Sequence, residues 1–453
     1  MQWALGRTVK SGAVAAVFMA LAACGSTPSK SGPVIAQPQP SSPAETVEPS
    51  YPDYEYDRER EARRYDRRGY VDPRHMGGVE PVRVGLLLPF TAPSEAAQKV
   101  ASAMFDAAQL AAFDAGDQRF LLIPKDTKGS PDGAAAAARS ALADGAEIIL
   151  GPLFSESVEA AAVVTRAAET PMIAFSSDLN SGGDGVYLLS FPPELEIERV
   201  TEFAVAQEMT RFGVLAPMTE YGDRVSSAFA EEVFIRGGVI VHEERYEQNP
   251  DAMLAPAKRL AQYSKEIVPV ELRHGYEGKP PVEPKTSEEA GYTQGYQAVL
   301  MPEQGTLLRA LAPLLPYYNV DITRVKLLGV SAWKNPRLTR EPALRGGWFA
   351  APDPEITRNF ENRYAGAFGA PPPRLASLAY DATLLSARLA RESNRRRRFS
   401  AEAITDPNGY FGADGLFRLN PDGSVERGLA ILEIQPGGIQ TVDPAPRSFM
   451  PSY

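Results

Sequence analysis

From Val82 onward, apolar residues fall into short unbroken runs. Between the runs lie longer stretches with apolar positions at every third or fourth residue. The first run, Val82-Arg83-Val84-Gly85-Leu86-Leu87-Leu88-Pro89, has the length and density of a strand buried on both faces. Residues 96–115 follow with Met104, Ala108, Ala111 and Ala112 at helical spacing. The pattern predicts further strands over 120–123, 147–152 and 171–175. Helices are predicted over 131–143, with Asp132 at the start and Gly145 at the end, and over 157–168. Strands alternating with helices of ten to twenty residues predict βαβ units, hence a parallel sheet with right-handed crossovers.

The rhythm then repeats. Helices are predicted over 200–207, 224–236, 255–263 and 306–314, and strands over 212–216, 239–241, 298–301 and 326–329. One sheet holding all of these would be unusually large, so the pattern predicts two doubly wound α/β lobes. Residues 264–295, rich in Lys, Pro, Glu and Gly, break the rhythm and predict a mobile surface insertion in the second lobe.

The first eighty residues follow different rules. Arg7 and Lys10 precede an apolar run over 13–23, too short to span a bilayer, which ends in Leu21-Ala22-Ala23-Cys24. A small-residue site ahead of the chain's single cysteine resembles a bacterial lipobox, so Cys24 is expected to be lipidated after removal of residues 1–23. Gly25 at the next position resembles lipoproteins sorted to the outer membrane. Residues 24–80 are dominated first by Pro, Ser and Gln and then by Tyr, Arg, Asp and Glu. With few branched aliphatics they cannot offset their ordering entropy, and they are expected to form a disordered tether. A tether of that length reaches roughly 40 Å root-mean-square.

Composition narrows the chemistry. Net charge is −10 and the pI about 5.2, which argues against a nucleic-acid partner. One Cys and three scattered His (His75, His242, His274) exclude a disulfide framework and give no metal centre. No Walker loop, GxGxxG, HExxH or GxSxG motif occurs, and no carboxylate pair stands out as acid and base. No cofactor and no enzymatic activity are therefore expected. In open parallel sheets ligands bind beyond the C-terminal strand ends, where Ser155, Ser176, Ser177, Tyr221 and Glu303 fall in polar loops. Each also fits a cap or turn; together they suit a cleft for a small zwitterion or glycan fragment. The run Arg395-Arg396-Arg397-Arg398 follows a predicted helix over 382–391, and fits a helix-end charge, a solvated loop or a docking patch for an acidic partner.

The order of Val84 to Pro89, Gly151-Pro152-Leu153 and Pro171 to Ser176 resembles the first lobe of type I periplasmic binding proteins, the branched-chain amino-acid receptor fold. Gly329 to Trp333, Gly347 to Asp353, Tyr380-Asp381-Ala382 and the tail from Phe411 to Gly423 extend the resemblance to about Val442. Trp333, Gly347 to Asp353, the lipobox and the tether are similar to the penicillin-binding protein activator lipoproteins. That resemblance implies a non-enzymatic outer-membrane lipoprotein that binds and stimulates a peptidoglycan synthase, and through it regulates cell-wall synthesis; the alternating Tyr and Arg of the tether, read by themselves, also fit contact with peptidoglycan or a partner. The alternative is a periplasmic receptor delivering an amino acid or similar polar solute to an ABC importer. Either way, the resemblance implies lobe 1 over 81–193 and 330–394, lobe 2 over 194–329 and 399–442, and three crossings between them. It also carries ligand carboxylate and amino contacts onto Ser155 and Ser176/Ser177, and more loosely onto Tyr221 and Glu303.

Overall fold

A computed structural model describes residues 80–263 and 295–449. Cys24, the tether apart from Glu80, and the insertion expected over 264–295 apart from Gly295 lie outside the described residues. The first sheet has strand order β2-β1-β3-β4-β5, all parallel, from β1 (Val82–Leu88), β2 (Phe120–Asp126), β3 (Ile148–Leu150), β4 (Met172–Ala174) and β5 (Val186–Leu188). The alternation along β1 sorts its side chains between two cores. Val82, Val84, Leu86 and Leu88 join one cluster, and Leu87 joins the other across the sheet. Two cores demand two layers of helix.

Helices α1 (Glu95–Ala115), α2 (Pro131–Ala143) and α3 (Ser155–Ala167) supply them. Ser130 starts α2: its side chain accepts the N–H of Gly133, with Pro131 in the first turn. The buried face of α2 is Ala134, Ala137, Ala138 and Ala141, small enough for close approach to the sheet at Gly85, where even a methyl group would meet Ala141 at 2.9 Å.

The second sheet has order β15-β14-β10-β9-β8-β6-β7. It uses β6 (Arg211–Pro217), β7 (Val239–Tyr246), β8 (Ala298–Leu300), β9 (Lys326–Gly329), β10 (Trp348–Ala351), β14 (Ala430–Gln435) and β15 (Gly438–Asp443). The five strands from β7 to β10 are parallel; β14 runs antiparallel to β10, and β15 to β14. This antiparallel margin departs from the wholly parallel lobe that the sequence pattern predicts. Helices α4 (Pro193–Ala206), α5 (Glu220–Ile235), α6 (Leu254–Tyr263), α7 (Gly305–Leu311) and α8 (Leu314–Tyr317) surround the sheet.

The division between lobes corrects the expected boundaries. Residues 330–351 belong to the second lobe, because Trp348 and Phe349 pair with Leu328 and Gly329. The Trp333 indole also fills a fully buried slot between Gly329 and Gly347. Conversely, residues 399–428 belong to the first lobe. There α9 (Pro354–Phe368), α10 (Ala376–Leu389), α11 (Arg395–Arg398) and α12 (Ala401–Ile404) lead into a small antiparallel sheet of β11 (Tyr410–Gly412), β12 (Gly415–Leu419) and β13 (Val425–Arg427). Its Tyr410, Phe417, Leu419 and Val425 pack with Leu378, Ala379 and Leu385 of α10 and with β1. Apolar burial decides both assignments. The chain thus crosses near residues 190–193, 352–354 and 428–430.

Candidate functional site

The strand ends of both lobes open onto one cavity of about 650 Å³. From the first lobe, β3 is followed by Gly151, whose φ of +88° and lack of a Cβ allow contact with the Leu87 carbonyl; an added methyl would lie 2.2 Å from that oxygen. The Gly151–Pro152 peptide is cis. The turn delivers Leu153, Phe154 and Ser155 to the cavity wall, with Ser155 opening α3. Phe154 precedes that helix without a side-chain acceptor, so the first-turn N–H groups stand uncapped beside the cleft, with the positive end of the helix dipole. After β4 come Ser176, Ser177 and Asp178. The Ser176 hydroxyl is buried and accepts the N–H of Asp178 at 3.1 Å, while Ser177 is exposed.

The second lobe contributes Tyr221 and Arg224 from α5, Gln248 after β7, and Pro302, Glu303 and Gln304 after β8. Glu303 is buried and held from three sides. Its Oε2 accepts Tyr246 Oη–H at 3.1 Å and Gln248 Nε2–H at 3.3 Å, and its Oε1 accepts the Gln304 N–H at 3.0 Å. Its carbonyl accepts the Trp333 indole N–H at 3.0 Å, which fixes the loop to the core. Tyr221 is 42% exposed at the mouth, and its hydroxyl ionisation is pushed above the ordinary tyrosine range, first by desolvation and then by the Glu196 carboxylate. All five residues singled out from the sequence thus line one cavity. The loop after β1 adds nothing to its wall: Thr91 Oγ1 donates instead to Asp126 at 2.6 Å.

Sequence reasoning missed the floor, which comes from the crossings. Glu196 on α4 is buried, accepts the Ser331 N–H at 2.7 Å and accepts from Arg374 at 3.2 Å. Its pKa is raised, chiefly by burial, with Arg374 opposing. Arg374 and Arg427 each lie 4.3 Å from the Phe191 ring centroid. Arg427 Nε donates to the Ser190 carbonyl at 2.6 Å. The Ser190 hydroxyl lines the cavity, buried and without a partner among the described residues. Arg224 pairs with Glu194 and also donates from Nη2 to the Ser177 carbonyl of the facing lobe at 2.7 Å. Arg374 follows three prolines in an irregular loop, so no periodicity marks it. Glu196 reads in sequence as one charge among several in a first helical turn.

The wall thus carries Arg224 and Arg374 against Asp178, Glu196 and Glu303, with hydroxyls and aromatic rings between. Mixed charge with unspent donors suits a small zwitterionic or polar solute. No metal-ligating cluster of His, Cys, Asp or Glu occurs among the described residues.

Comparison with known proteins agrees with this geometry. A family model described as periplasmic binding protein matches residues 81–266. Solved structures with the same fold include a branched-chain amino acid ABC transporter from Rhodospirillum rubrum (TM-score 0.64, 17% identity, covering 80% of this chain and 100% of that one). An ABC transporter substrate-binding protein from Desulfitobacterium hafniense in complex with Leu is similar (0.54, 18%, 80% and 100%). So is a solute-binding protein from R. palustris in complex with benzoate (0.53, 14%, 82% and 98%). No curated protein sequence matches the chain. The protein therefore has the α/β type I periplasmic binding protein fold.

Proposed function

We propose that the protein is a periplasmic receptor that captures a small polar solute, an amino acid or related carboxylate, between its lobes for an ABC importer, without turnover. The observation that carries this reading is the shared cavity, walled by strand-end loops of both lobes and floored by their crossings. Ser155, Ser176 and Ser177, with the uncapped start of α3, are suited to hold the solute's carboxylate. Tyr221 and Glu303 approach from the other side, toward an amino group. Neighbours of the same fold bound to Leu and to benzoate support a ligand of this size and charge.

The stimulation of a penicillin-binding protein that the sequence resemblance implies has less support. Trp333 is fully buried, and Trp348–Ala351 form a central strand. Those two parts of the likeness are thus explained by packing; the lipobox and tether, which also carry it, lie outside the described residues. Lipidation at Cys24 is a further proposal, read out by acyl labelling; membrane fractionation then separates the two readings, an outer-membrane position counting for the synthase partner and against the importer receptor.

Calorimetry and thermal denaturation of the full chain against amino acids and aromatic carboxylates test the receptor reading. At least one solute is expected to bind and raise the melting temperature, and Ser155→Ala or Glu303→Gln is expected to weaken it tenfold or more. Silence across the panel, together with stimulation of glycan polymerisation by a synthase, would overturn it.

A further inference from the structure

We propose that an arginine-rich corner of the first lobe docks on anionic phospholipid headgroups, at the end of the lobe opposite the cleft. The corner is built around α11. Arg398 is buried there, donating from Nη1 to Glu147 Oε2 at 3.0 Å and from Nε to the Glu392 carbonyl at 3.0 Å. Arg395 reaches the same Glu147 carboxylate at 3.3 Å. These bonds fix the turn and leave its other arginines outward. Arg388, Arg391, Arg396 and Arg397 are exposed and make no ion pair within 4 Å among the described residues. Among the described residues Arg391 donates to the Ala115 carbonyl alone, and Arg388 lies over the Tyr410 ring. The carboxylates around this corner, exposed Glu392 and Glu402, half-buried Asp117 and Asp406, and Glu147, are fewer than its arginines at 388, 391 and 395–398, in a chain whose net charge is −10. Positive charge is gathered here against the overall balance.

The position of the corner indicates its partner. Glu147 immediately precedes β3, and its N–H donates to the Arg83 carbonyl of β1 at 2.8 Å. Arg119 immediately precedes β2. It donates to the Ala390 carbonyl at 3.3 Å, and its own carbonyl accepts the Val82 N–H at 2.7 Å. The arginines therefore sit beneath the starts of three parallel strands, where the chain enters the folded body from the segment expected to carry lipidated Cys24. The cleft lies at the other ends of those strands, about 23 Å away along the seven residues of β1 at 3.3 Å each. A body leashed to a bilayer through this entry turns this face to the membrane and the cleft away from it. An arginine near an anionic surface strengthens attachment by about fivefold, and salt screens the attraction.

The test uses the full chain with Cys24→Ser, which removes the acyl anchor, floated with vesicles of phosphatidylglycerol and phosphatidylethanolamine or of phosphatidylcholine alone. Retention is expected on the anionic vesicles at 50 mM salt, falling steeply by 300 mM. The apolar segment 13–23 contributes equally to every variant and does not respond to salt. Arg391→Gln, Arg396→Gln and Arg397→Gln together are expected to cut the salt-sensitive retention by about a hundredfold, and the Arg396/Arg397 pair alone by about 25-fold. None of the three side chains is buried, so the melting temperature is expected to hold. Equal retention on both vesicle types, wild-type retention by the triple variant, or salt-sensitive binding to an acidic protein with none to vesicles would each overturn the proposal.

Discussion

Replacing Arg224 with methionine keeps most of the side chain's apolar stem and removes a tie between the lobes. The guanidinium donates to the Ser177 carbonyl across the cleft at 2.7 Å while gripping Glu194 beside the first crossing. A charge-assisted hydrogen bond contributes about 1.5–3 kcal/mol when sheltered. With Ser177 exposed and the Arg224 side chain 31% exposed, solvent screening reduces this to about 1 kcal/mol. That is about a fivefold shift in the ratio of closed to open lobes. Because a receptor's apparent affinity scales with the fraction already competent to bind, a bound solute should weaken by at most that factor, and by less the more the wild type is already closed. The chain has a single cysteine, at position 24, so with it replaced, spin labels on a cysteine introduced in each lobe report the interlobe distance without interference. Pulsed electron resonance should show a broader, longer distribution for Arg224→Met than for wild type. Glu194→Gln, which leaves the Ser177 bond possible, should show a smaller change. Identical distributions for Arg224→Met and wild type would refute the idea that this contact holds the lobes together.

Three further outcomes are expected. Gly329→Ala should unfold or severely destabilise the second lobe, because the new methyl would lie 2.1 Å from the Trp333 ring; Trp333→Ala should cost about 3–5 kcal/mol in denaturant titration through the cavity left behind. Asp381 is buried beside Asp414, and burial first, then that neighbour, raises its pKa. The folded state therefore keeps a proton that the unfolded chain releases near pH 4, so this residue's contribution to stability should fall as pH rises through the range above that value. Asp381→Asn should flatten the decline in pH-dependent melting, since the amide oxygen can still accept the Ala413 N–H that Oδ1 accepts now. Glu303→Gln should slightly lower stability even without solute, by weakening the bonds from Tyr246 and Gln248.

Where local pattern and tertiary role coincide, the sequence is easy to read. The run from Val82 to Leu88 is a strand because both its faces are apolar, and Ser155, Ser176, Tyr221 and Glu303 could be gathered because parallel sheets put loops of one kind at one end. The short strand Val186–Leu188 was not legible: three residues after a Gly-rich turn carry no period of their own, and β4 supplies the pairing. The exchange of residues 330–351 and 399–428 between lobes was hidden for a related reason. Those segments are placed by where Trp333 and Phe417 find apolar partners, which is a property of distant residues. Arg374 and Glu196 escaped because each is ordinary in its own neighbourhood and becomes part of the site only when a crossing folds over it.

The repeated passage of the chain between lobes bears on how the molecule is made. During synthesis, the first lobe's five strands emerge within little more than a hundred residues, yet α10, which covers Met104 and Ala108, comes almost two hundred residues later. The second lobe waits longer still, for β14 and β15. A nascent chain halted before residue 376 would show apolar faces on both halves. Such a protein is poorly suited to piecemeal maturation on the ribosome and well suited to export as an extended chain, with both halves completed together once the last strands arrive.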